Sequence, residues 1–199
     1  MQITSGKFRG LKLKWVSDSK TRPTTARVKE NTFNILTSMR KSLDFTGVFV
    51  LDLFAGSGQM GLECISRGAA DVILNDCNKD AYNIIKSNCK SINYNGQILN
   101  LDYKACIEKL KTHKFDIIFL DPPYEDNEVL IDALRLILEH QILAKNGIIV
   151  VENEGVECQK WGGRVSKTGG TERFLEGSNL SIKIKKYGRA TVCFLSEVD

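Results

Sequence analysis

Proline is scarce in this chain, and long hydrophobic runs are absent. Only three of the 199 residues are proline, and neither an internal repeat nor a low-complexity tract occurs. No stretch approaches the ~20 consecutive apolar residues that a membrane helix needs. The polar, basic start does not resemble a signal peptide. We therefore expect a cytoplasmic protein built around one main domain, with no membrane partner.

Histidine is also rare, and the cysteines form no motif. The two histidines, His113 and His140, stand alone near predicted helix ends, where surface or capping roles are favoured over catalysis. None of the six cysteines belongs to a C-x-x-C pair, so the spacing predicts neither a disulfide framework nor a zinc site. We expect reduced thiols and no bound metal.

A glycine-rich loop follows the first apolar run of the central region. Residues 48–53 are typical of a buried strand, and Gly56, Gly58 and Gly61 then match G-x-G-x-x-G ahead of a predicted helix. Glycines at this spacing allow a tight turn and a close approach of a ligand to the backbone. The next predicted strand ends in Asp76, whose carboxylate can accept hydrogen bonds from both hydroxyls of a ribose.

The position of Asp52 favours one of two ligands for this loop. A dinucleotide and S-adenosylmethionine both carry an adenosyl ribose, so the glycines alone admit either. A carboxylate four residues before Gly56 would repel a pyrophosphate, but it would attract the ammonium of a methionyl group, directly or through water. The D-x-F-x-G-S-G pattern therefore favours S-adenosylmethionine.

A second motif, Asp-Pro-Pro-Tyr at 121–124, follows the apolar run 115–120. That run is also typical of a buried strand, and ligands bind beyond the carboxyl ends of strands in open α/β sheets. Consecutive prolines have nearly fixed φ angles and no N–H groups, so this turn offers acceptors without competing donors. With the flat ring of Tyr124 beside it, the turn suits a planar group that carries an exocyclic amine, such as a nucleobase.

Positive charge is concentrated towards the two ends of the chain. Residues 1–41 hold ten Lys or Arg against two Asp or Glu, and residues 160–189 hold eight against two. Basic regions on either side of a cofactor-binding core suggest a polyanionic partner that is bound through salt-sensitive phosphate contacts. For such a tract taken alone, charge that serves only solubility is an equal alternative.

Strand and helix patterns alternate from residue 48 to residue 152, which predicts an α/β fold. We expect a doubly wound, mainly parallel seven-stranded sheet with right-handed crossovers, ended by an antiparallel hairpin over 179–186 and 190–196. Residues 2–16 show a hairpin pattern, and Thr24 or Thr25 can cap the following helix. The predicted core strands are 48–53, 71–75, 97–101, 115–120 and 147–152, and the predicted core helices are 58–67, 79–93, 103–112 and 126–139.

With both motifs in place, the chain resembles class I S-adenosylmethionine-dependent methyltransferases. More closely, it resembles the RsmD family, the 16S rRNA (guanine-N2)-methyltransferases of bacteria. The glycine loop is shared by many methyltransferases, whereas T-R-P-T with R-V-x-E and F-N-I-L is specific to the family. The matching segments are 5–10, 21–25, 27–30, 33–36, 51–58, 61–63, 66–69, 119–124, 150–152 and 186–188.

The resemblance implies a Rossmann-like methyltransferase fold with S-adenosylmethionine as the cofactor. Asp102 corresponds to a residue that accepts a hydrogen bond from the adenine amino group, although capping of the helix that starts at Tyr103 is nearly as well supported. Glu152 could face the substrate, but a role at the sheet edge is slightly favoured. The expected cofactor-binding residues are Asp52, Phe54, Gly56, Ser57, Gly58, Asp76 and Asp102.

The resemblance also implies methyl transfer to N2 of a specific guanine in 16S rRNA. The Asp121 carboxylate and the Pro122 carbonyl would accept hydrogen bonds from the amine, and Asp121 would take its proton, directly or through water. Tyr124 would stack on a base held out of its RNA loop. The expected substrate-binding residues are Lys7, Arg9, Lys12, Lys14, Arg22, Thr24, Arg27 and Pro123.

On this interpretation residues 1–45 are an RNA-binding hairpin-and-helix extension, and residues 46–199 are the methyltransferase domain. The partner is 16S rRNA or the small ribosomal subunit, and the protein is a monomer. The main alternative is methylation of another exocyclic amine, such as adenine N6 in RNA or DNA. A protein glutamine methyltransferase, a nicotinamide dehydrogenase and a catalytically idle RNA-binding module are further alternatives.

Overall fold

The computed structural model describes residues 1–15, 26–41, 44–122, 127–154, 164–165, 180–188 and 190–197. Five helices lie within these residues: α1 (Ala26–Arg40), α2 (Gln59–Ser66), α3 (Lys79–Ser91), α4 (Tyr103–Lys109) and α5 (Asn127–Glu139). The strands are β1 (Phe49–Asp52), β2 (Asp71–Asn75), β3 (Ile98–Leu99), β4 (Phe115–Leu120), β5 (Leu143–Glu154), β6 (Arg164–Val165), β7 (Leu180–Tyr187) and β8 (Ala190–Glu197).

All these strands belong to one sheet, in the order β3-β2-β1-β4-β5-β8-β7-β6. The first five strands are parallel, while β8 runs antiparallel to both β5 and β7. The predicted doubly wound, mainly parallel sheet with a terminal antiparallel hairpin is therefore confirmed. The two-residue β6 adds an eighth strand beside β7, and such a short segment has no periodicity from which it could be predicted.

The central strands are buried on both faces, as expected of a parallel sheet between two helical layers. Successive side chains of a strand point to opposite faces, so Leu51 and Ile118 pack with α4 and α5, whereas Val50 and Ile117 pack with α1, α2 and α3. We call the second layer the arm side of the sheet, because residues 1–15, the N-terminal arm, also pack there.

The N-terminal arm reverses direction but does not form the two predicted strands. It has a single antiparallel bridge, between Gln2 and Lys12, supported by a 3.0 Å hydrogen bond from Ile3 N to Leu11 O. The backbone of the intervening segment bonds to α2 instead, for example from Lys7 N to Ser66 O at 2.7 Å. The arm thus combines limited pairing between its two halves with docking on the core.

Helix α1 packs on the arm side of the sheet through an apolar stripe. Its Phe33 lies 5.7 Å from the ring of Phe45 and 6.1 Å from the ring of Phe119 on β4, measured between ring centroids. The predicted capping residues Thr24 and Thr25 lie outside the described residues. None of the helices in the described part of the chain has the length and apolar character needed to cross a membrane.

The cysteines depart in one respect from the predicted reduced state. Cys64, Cys77, Cys89 and Cys106 are free thiols, and burial raises the pKa of Cys89 to about 11. Cys193, which is buried in β8, is disulfide-bonded, so the prediction is wrong there. The spacing of cysteines along a sequence carries no information on which of them a fold brings together.

Candidate active site

The two sequence motifs lie beyond the ends of neighbouring strands. In the parallel pairing of β1 with β4, Asp52 is the partner of Phe119, and Asp121 follows two residues later. At about 3.3 Å per residue along a strand and about 4.8 Å between strands, the Cα atoms of Asp52 and Asp121 are separated by roughly 8 Å. The glycine loop and the Asp-Pro-Pro-Tyr turn therefore start at one corner of the sheet.

The glycine loop has a backbone that most other residues would not adopt. Gly56 and Gly58 have φ angles of 55° and 79°, and Gly58 precedes the first turn of α2. Gly61 serves packing instead, because a Cβ there would lie 2.4 Å from Leu74 Cδ2. The glycines thus combine a left-handed turn with close contact between α2 and β2.

Asp52 is buried at the base of this loop. Its Oδ2 accepts a hydrogen bond from Gly61 N at 3.0 Å. Burial raises the pKa of Asp52 to about 7, and the nearby charge of Asp76 adds to this rise, while the hydrogen bond from Gly61 opposes it. No described Lys or Arg forms a salt bridge with Asp52, so a ligand cation would stabilise its ionised form.

Asp76 links the glycine loop to the start of α3. Its Oδ2 accepts from Gly56 N at 2.8 Å, and its Oδ1 accepts from Asn78 N at 2.8 Å. Burial raises the pKa of Asp76, and the two hydrogen bonds partly offset that effect. A carboxylate has about four acceptor positions, so two remain for the hydroxyls of a ribose.

Asn75, which we had not predicted as a site residue, connects three strand ends. Its buried side-chain amide donates to Leu53 O and to Leu101 O, each at 3.0 Å, and its Oδ1 accepts from Leu101 N at 3.2 Å. The available signal was a polar amide at the end of an otherwise apolar strand. This network holds the segment with Phe54, whose ring centroid lies 6.0 Å from that of Tyr103.

Asp102 has the capping role that we had weighed against cofactor binding. It is the N-cap of α4, and its Oδ1 accepts from Lys104 N at 3.0 Å and from Ala105 N at 3.1 Å. Both hydrogen bonds use the same oxygen, so a ligand could still bind at Oδ2. Ser57, a neighbour of the loop glycines, is buried.

Asp121 belongs to a group of three carboxyl groups on the arm side of the sheet. Because Leu120 pairs with Val151, Asp121 and Glu152 are next in register on adjacent strands, and strand alternation directs both to the same face as Asp52. Burial first, and then the charges of Glu152 and Asp52, raise the pKa of Asp121 well above its usual range. The corner therefore attracts cations and donors.

Several predicted substrate residues can be placed, and others cannot. Pro122 is buried next to Asp121, whereas Pro123, Tyr124, Arg22 and Thr24 lie outside the described residues. The basic side chains of Lys7, Arg9, Lys12, Lys14 and Arg27 are exposed. None of these five forms a salt bridge with a carboxylate in the described part of the chain.

Glu63 of α2 holds the N-terminal arm and α1 to the core. It accepts hydrogen bonds from Thr4 N and Thr4 Oγ1 at 2.9 and 2.8 Å, and its side chain, fully buried, forms 3.0 Å salt bridges with Lys29 and Arg67. Burial alone would raise its pKa, but the Thr4 hydrogen bonds and the Lys29 charge hold the pKa of Glu63 below its usual value. A lone glutamate within an apolar helix was the only signal.

The described residues contain no group of three or more His, Cys, Asp or Glu side chains that could hold a metal ion.

Comparisons with known proteins agree on one family. The model described as conserved hypothetical protein 95 matches residues 1–174. The chain is 38% identical over 158 residues to the putative rRNA methyltransferase YlbH of Bacillus subtilis, which covers 77% of this chain and 83% of that protein. It is 34% identical over 153 residues to ribosomal RNA small subunit methyltransferase D of Buchnera aphidicola, and the alignment covers 76% of this chain and 77% of that protein.

A solved structure shares the whole fold. The putative methyltransferase yhhF from Escherichia coli superposes with a TM-score of 0.75 at 27% sequence identity, and the alignment covers 99% of this chain and 97% of that one.

Proposed function

The chain belongs to the RsmD family, which the conserved hypothetical protein 95 model describes, and we propose from this that it methylates N2 of a specific guanine in 16S rRNA with S-adenosylmethionine. The observation that carries the proposal is the shared corner of β1 and β4. There the glycine loop and Asp121 meet, with Asp52 and Glu152 beside them. A cationic methyl donor and an amine acceptor both suit such a corner.

The residues at this corner fit S-adenosylmethionine. Burial raises the pKa of Asp52 to about 7, and the methionyl ammonium would supply a counter-charge for its ionised form. Asp76 retains acceptor positions for the ribose hydroxyls, and Gly56, Ser57 and Gly58 let the ligand approach the backbone. Phe54 would border the adenine, with Asp102 Oδ2 accepting from its amino group. When bound, the cofactor supplies an electrophilic methyl group.

Asp121 and Pro122 prepare the acceptor amine. The lone pair of guanine N2 is delocalised into the ring, and acceptors bonded to its two hydrogens favour a pyramidal nitrogen with that pair exposed. The Asp121 carboxylate and the Pro122 carbonyl provide these acceptors, and Asp121 receives the proton that the amine loses. Its raised pKa makes it a better base than an ordinary aspartate. Pro123 and Tyr124 would enclose and stack the base.

The exposed basic side chains bind the RNA backbone. Lys7, Arg9, Lys12 and Lys14 of the arm supply phosphate contacts, and Arg22, Thr24 and Arg27 orient the phosphates near the start of α1. Residues 1–45 then form the RNA-binding extension and residues 46–199 the catalytic domain. We assign the protein to the cytoplasm as a monomer that acts on 16S rRNA or the small ribosomal subunit.

The decisive experiment compares the rRNA of a deletion strain with that of its parent. We expect one N2-methylguanine of 16S rRNA to disappear, and the purified protein to restore it in vitro with S-adenosylmethionine, on naked rRNA or on the small subunit. A methyl group that appears instead on adenine N6 would establish the main alternative. An rRNA modification pattern unchanged by the deletion would refute the assignment.

A further inference from the structure

Helix α3 carries a row of lysines on its outer surface. Lys79, Lys86 and Lys90 are exposed, and at 100° per residue they project within about 40° of one another around the helix axis. The helix contains one acid, Asp80, against these three lysines. Because the helix rises 1.5 Å per residue, the row extends for roughly 16 Å along its surface.

The Tyr82 ring holds two lysines of this row close together. The Nζ atoms of Lys79 and Lys86 lie 4.7 and 5.3 Å from the centroid of the Tyr82 ring, within cation–π range. Two ammonium groups, which would repel each other in the absence of the ring, are thus held over one aromatic side chain.

The N-terminal arm contacts α3 through Asn88, which lies on the buried side of the helix, opposite the row of lysines. The buried Asn88 amide accepts from Lys14 N at 2.9 Å and donates to Lys14 O at 2.9 Å, so that it pairs with the arm backbone as a neighbouring strand would. Lys14 Nζ also donates to Ser87 Oγ at 3.0 Å. The charged end of Lys14 therefore lies against α3 at Ser87, about 60° around the helix axis from Lys90.

Helix α3, which carries these lysines, contacts the candidate active site near both of its ends. Asn88 Nδ2 donates its second hydrogen bond to Ser57 O in the glycine loop at 2.9 Å. At the other end, Asn78 caps α3 and donates its backbone N–H to Asp76. The row of lysines is thus built on the helix that the cofactor loop contacts.

On the opposite side of the sheet, several basic side chains form salt bridges. On α4, on α5 and in the turn after α4, Lys104, Lys111 and Arg135 form salt bridges with carboxylates of their own layer, whereas the exposed Lys109 forms none in the described ranges. Lys14, Lys79, Lys86 and Lys90 form none with any carboxylate in the described ranges. A face whose cations are left without internal counter-charges is complementary to a polyanion.

We infer that the outer face of α3 (Lys79, Lys86 and Lys90) is a second RNA-binding surface, next to Lys14 of the N-terminal arm. It binds the phosphates of the RNA that flanks the target nucleotide. This inference rests on the proposed function and extends the RNA contact beyond the first 45 residues. Its contacts are to phosphates and therefore carry no base specificity.

The test is the salt dependence of binding to 16S rRNA transcribed in vitro. The slope of log K against log salt concentration is negative, and each lost phosphate contact reduces its magnitude by about 0.7 to 0.9. Replacing Lys79, Lys86 and Lys90 by Gln should therefore reduce the magnitude of the slope by roughly 2 to 3. The control replaces Lys104, Lys109 and Lys111 by Gln, which removes the same charge from exposed positions on the opposite side and should leave the slope nearly unchanged.

Three measurements on each variant separate the outcomes: the salt dependence of RNA binding, cofactor affinity and the unfolding midpoint. Cofactor affinity of both triple variants should match the wild type, because none of the six lysines contacts the glycine loop. Their unfolding midpoints should differ little from the wild type, because the salt bridges that Lys104 and Lys111 lose are exposed. Equal loss of slope in both variants, or no loss in the α3 variant, would overturn the inference while leaving the proposed function standing. A wild-type protein that neither binds the rRNA nor methylates it would instead remove the proposed function, and this inference with it.

Discussion

The carboxylate of Asp52 accepts a 3.0 Å hydrogen bond from the backbone N–H of Gly61, nine residues further along the chain. This bond joins the end of β1 to the first turn of α2 and closes the glycine loop between them. The same carboxylate is buried and has a pKa raised to about 7. One side chain thus shapes the loop and keeps a charge available for a cationic ligand.

Cofactor affinity should depend on the ionisation of Asp52. As pH rises from about 6 towards 7.5, the Asp52 carboxyl group of the empty protein ionises, so affinity for S-adenosylmethionine should increase. An α-amino group has an ordinary pKa of about 7.7 to 8.0, so the ligand remains mostly cationic over this range. Asp52→Asn should bind about 10- to 100-fold more weakly, as expected for loss of a hydrogen bond to a charged group, and should lose the rise. Titration calorimetry across this range measures both effects.

The same substitution should stabilise the empty protein. A carboxyl group whose pKa is raised on folding favours the folded state least when it is ionised, so the penalty from Asp52 grows between pH 3.8 and about 7 and is constant above. Asp52→Asn should therefore unfold at higher urea concentration than the wild type above neutral pH. Equal pH dependence of the two proteins would show that Asp52 is not the titrating group.

Asp121 should be needed for turnover and not for cofactor binding. Asp121→Ala removes both an acceptor for the amine and the proton acceptor, so we expect single-turnover methyl transfer to fall by about 10² to 10⁴ with cofactor affinity retained. Glu152→Gln is the companion variant. It removes a charge that raises the pKa of Asp121, so the pH–rate profile should move to lower pH. Loss of cofactor binding in Asp121→Ala would show that the two roles are not separate.

The buried salt bridge between Lys29 and Glu63 should matter far more than an exposed one. Glu63→Ala leaves the ammonium of Lys29, which is 1% exposed, without its counter-charge, and the free energy of unfolding should fall by about 3 to 5 kcal/mol. The exposed pair of Lys111 and Glu108 is the control, for which Lys111→Ala should cost less than about 1 kcal/mol. Urea denaturation of both variants tests this, and similar losses would contradict it.

Docking of the N-terminal arm should fail when Gly6 is enlarged. Gly6 and Gly10 have φ angles of 78° and 87°, so alanine strains the backbone at both. A Cβ at Gly6 would lie 1.8 Å from Ser66 O, whereas at Gly10 it would meet nothing within 4 Å. Gly6→Ala should therefore be less stable than Gly10→Ala by about 1 to 3 kcal/mol, as measured by thermal unfolding. Equal stabilities would mean that the arm does not pack on Ser66.

The arm lysines should contribute to RNA binding through charge alone. Lys12 and Lys14 are exposed, so replacing both by Ala should leave the unfolding midpoint unchanged. For binding to 16S rRNA, the magnitude of the slope of log K against log salt concentration should decrease by about 1.5 to 2. Filter binding at several salt concentrations provides the measurement. An unchanged slope would count against a phosphate role for these two residues.

The core of the fold was predictable because local signals agree with the global structure. The buried strand 115–120 appears at Phe115–Leu120, and the predicted helix 79–93 appears as Lys79–Ser91. Alternation of strands with helices implies parallel strands, and parallel strands bring their carboxyl ends to one edge. For this reason Asp52, Asp76 and Asp121 could be assigned to one region before any contact was known.

The contacts that hold the N-terminal arm could not be predicted in this way. The bonds from Thr4 to Glu63 and from Lys14 to Asn88 join residues that are 59 and 74 positions apart, and no local pattern marks either partner. The halves of the arm do pair, as from Ile3 N to Leu11 O, but α2 and α3 also bind its backbone, at Lys7 and Lys14.

By itself, the sequence determined the order of elements, the glycine loop, the proline turn and their common edge, since hydrophobic periodicity and backbone restriction act over a few residues. Only the tertiary structure decided that Asp52, Asp121 and Glu152 share one side of the sheet, and that Lys14 of the arm lies against α3. Those outcomes depend on strand register and on side chains far apart in the chain, where burial and charge are set by the whole fold.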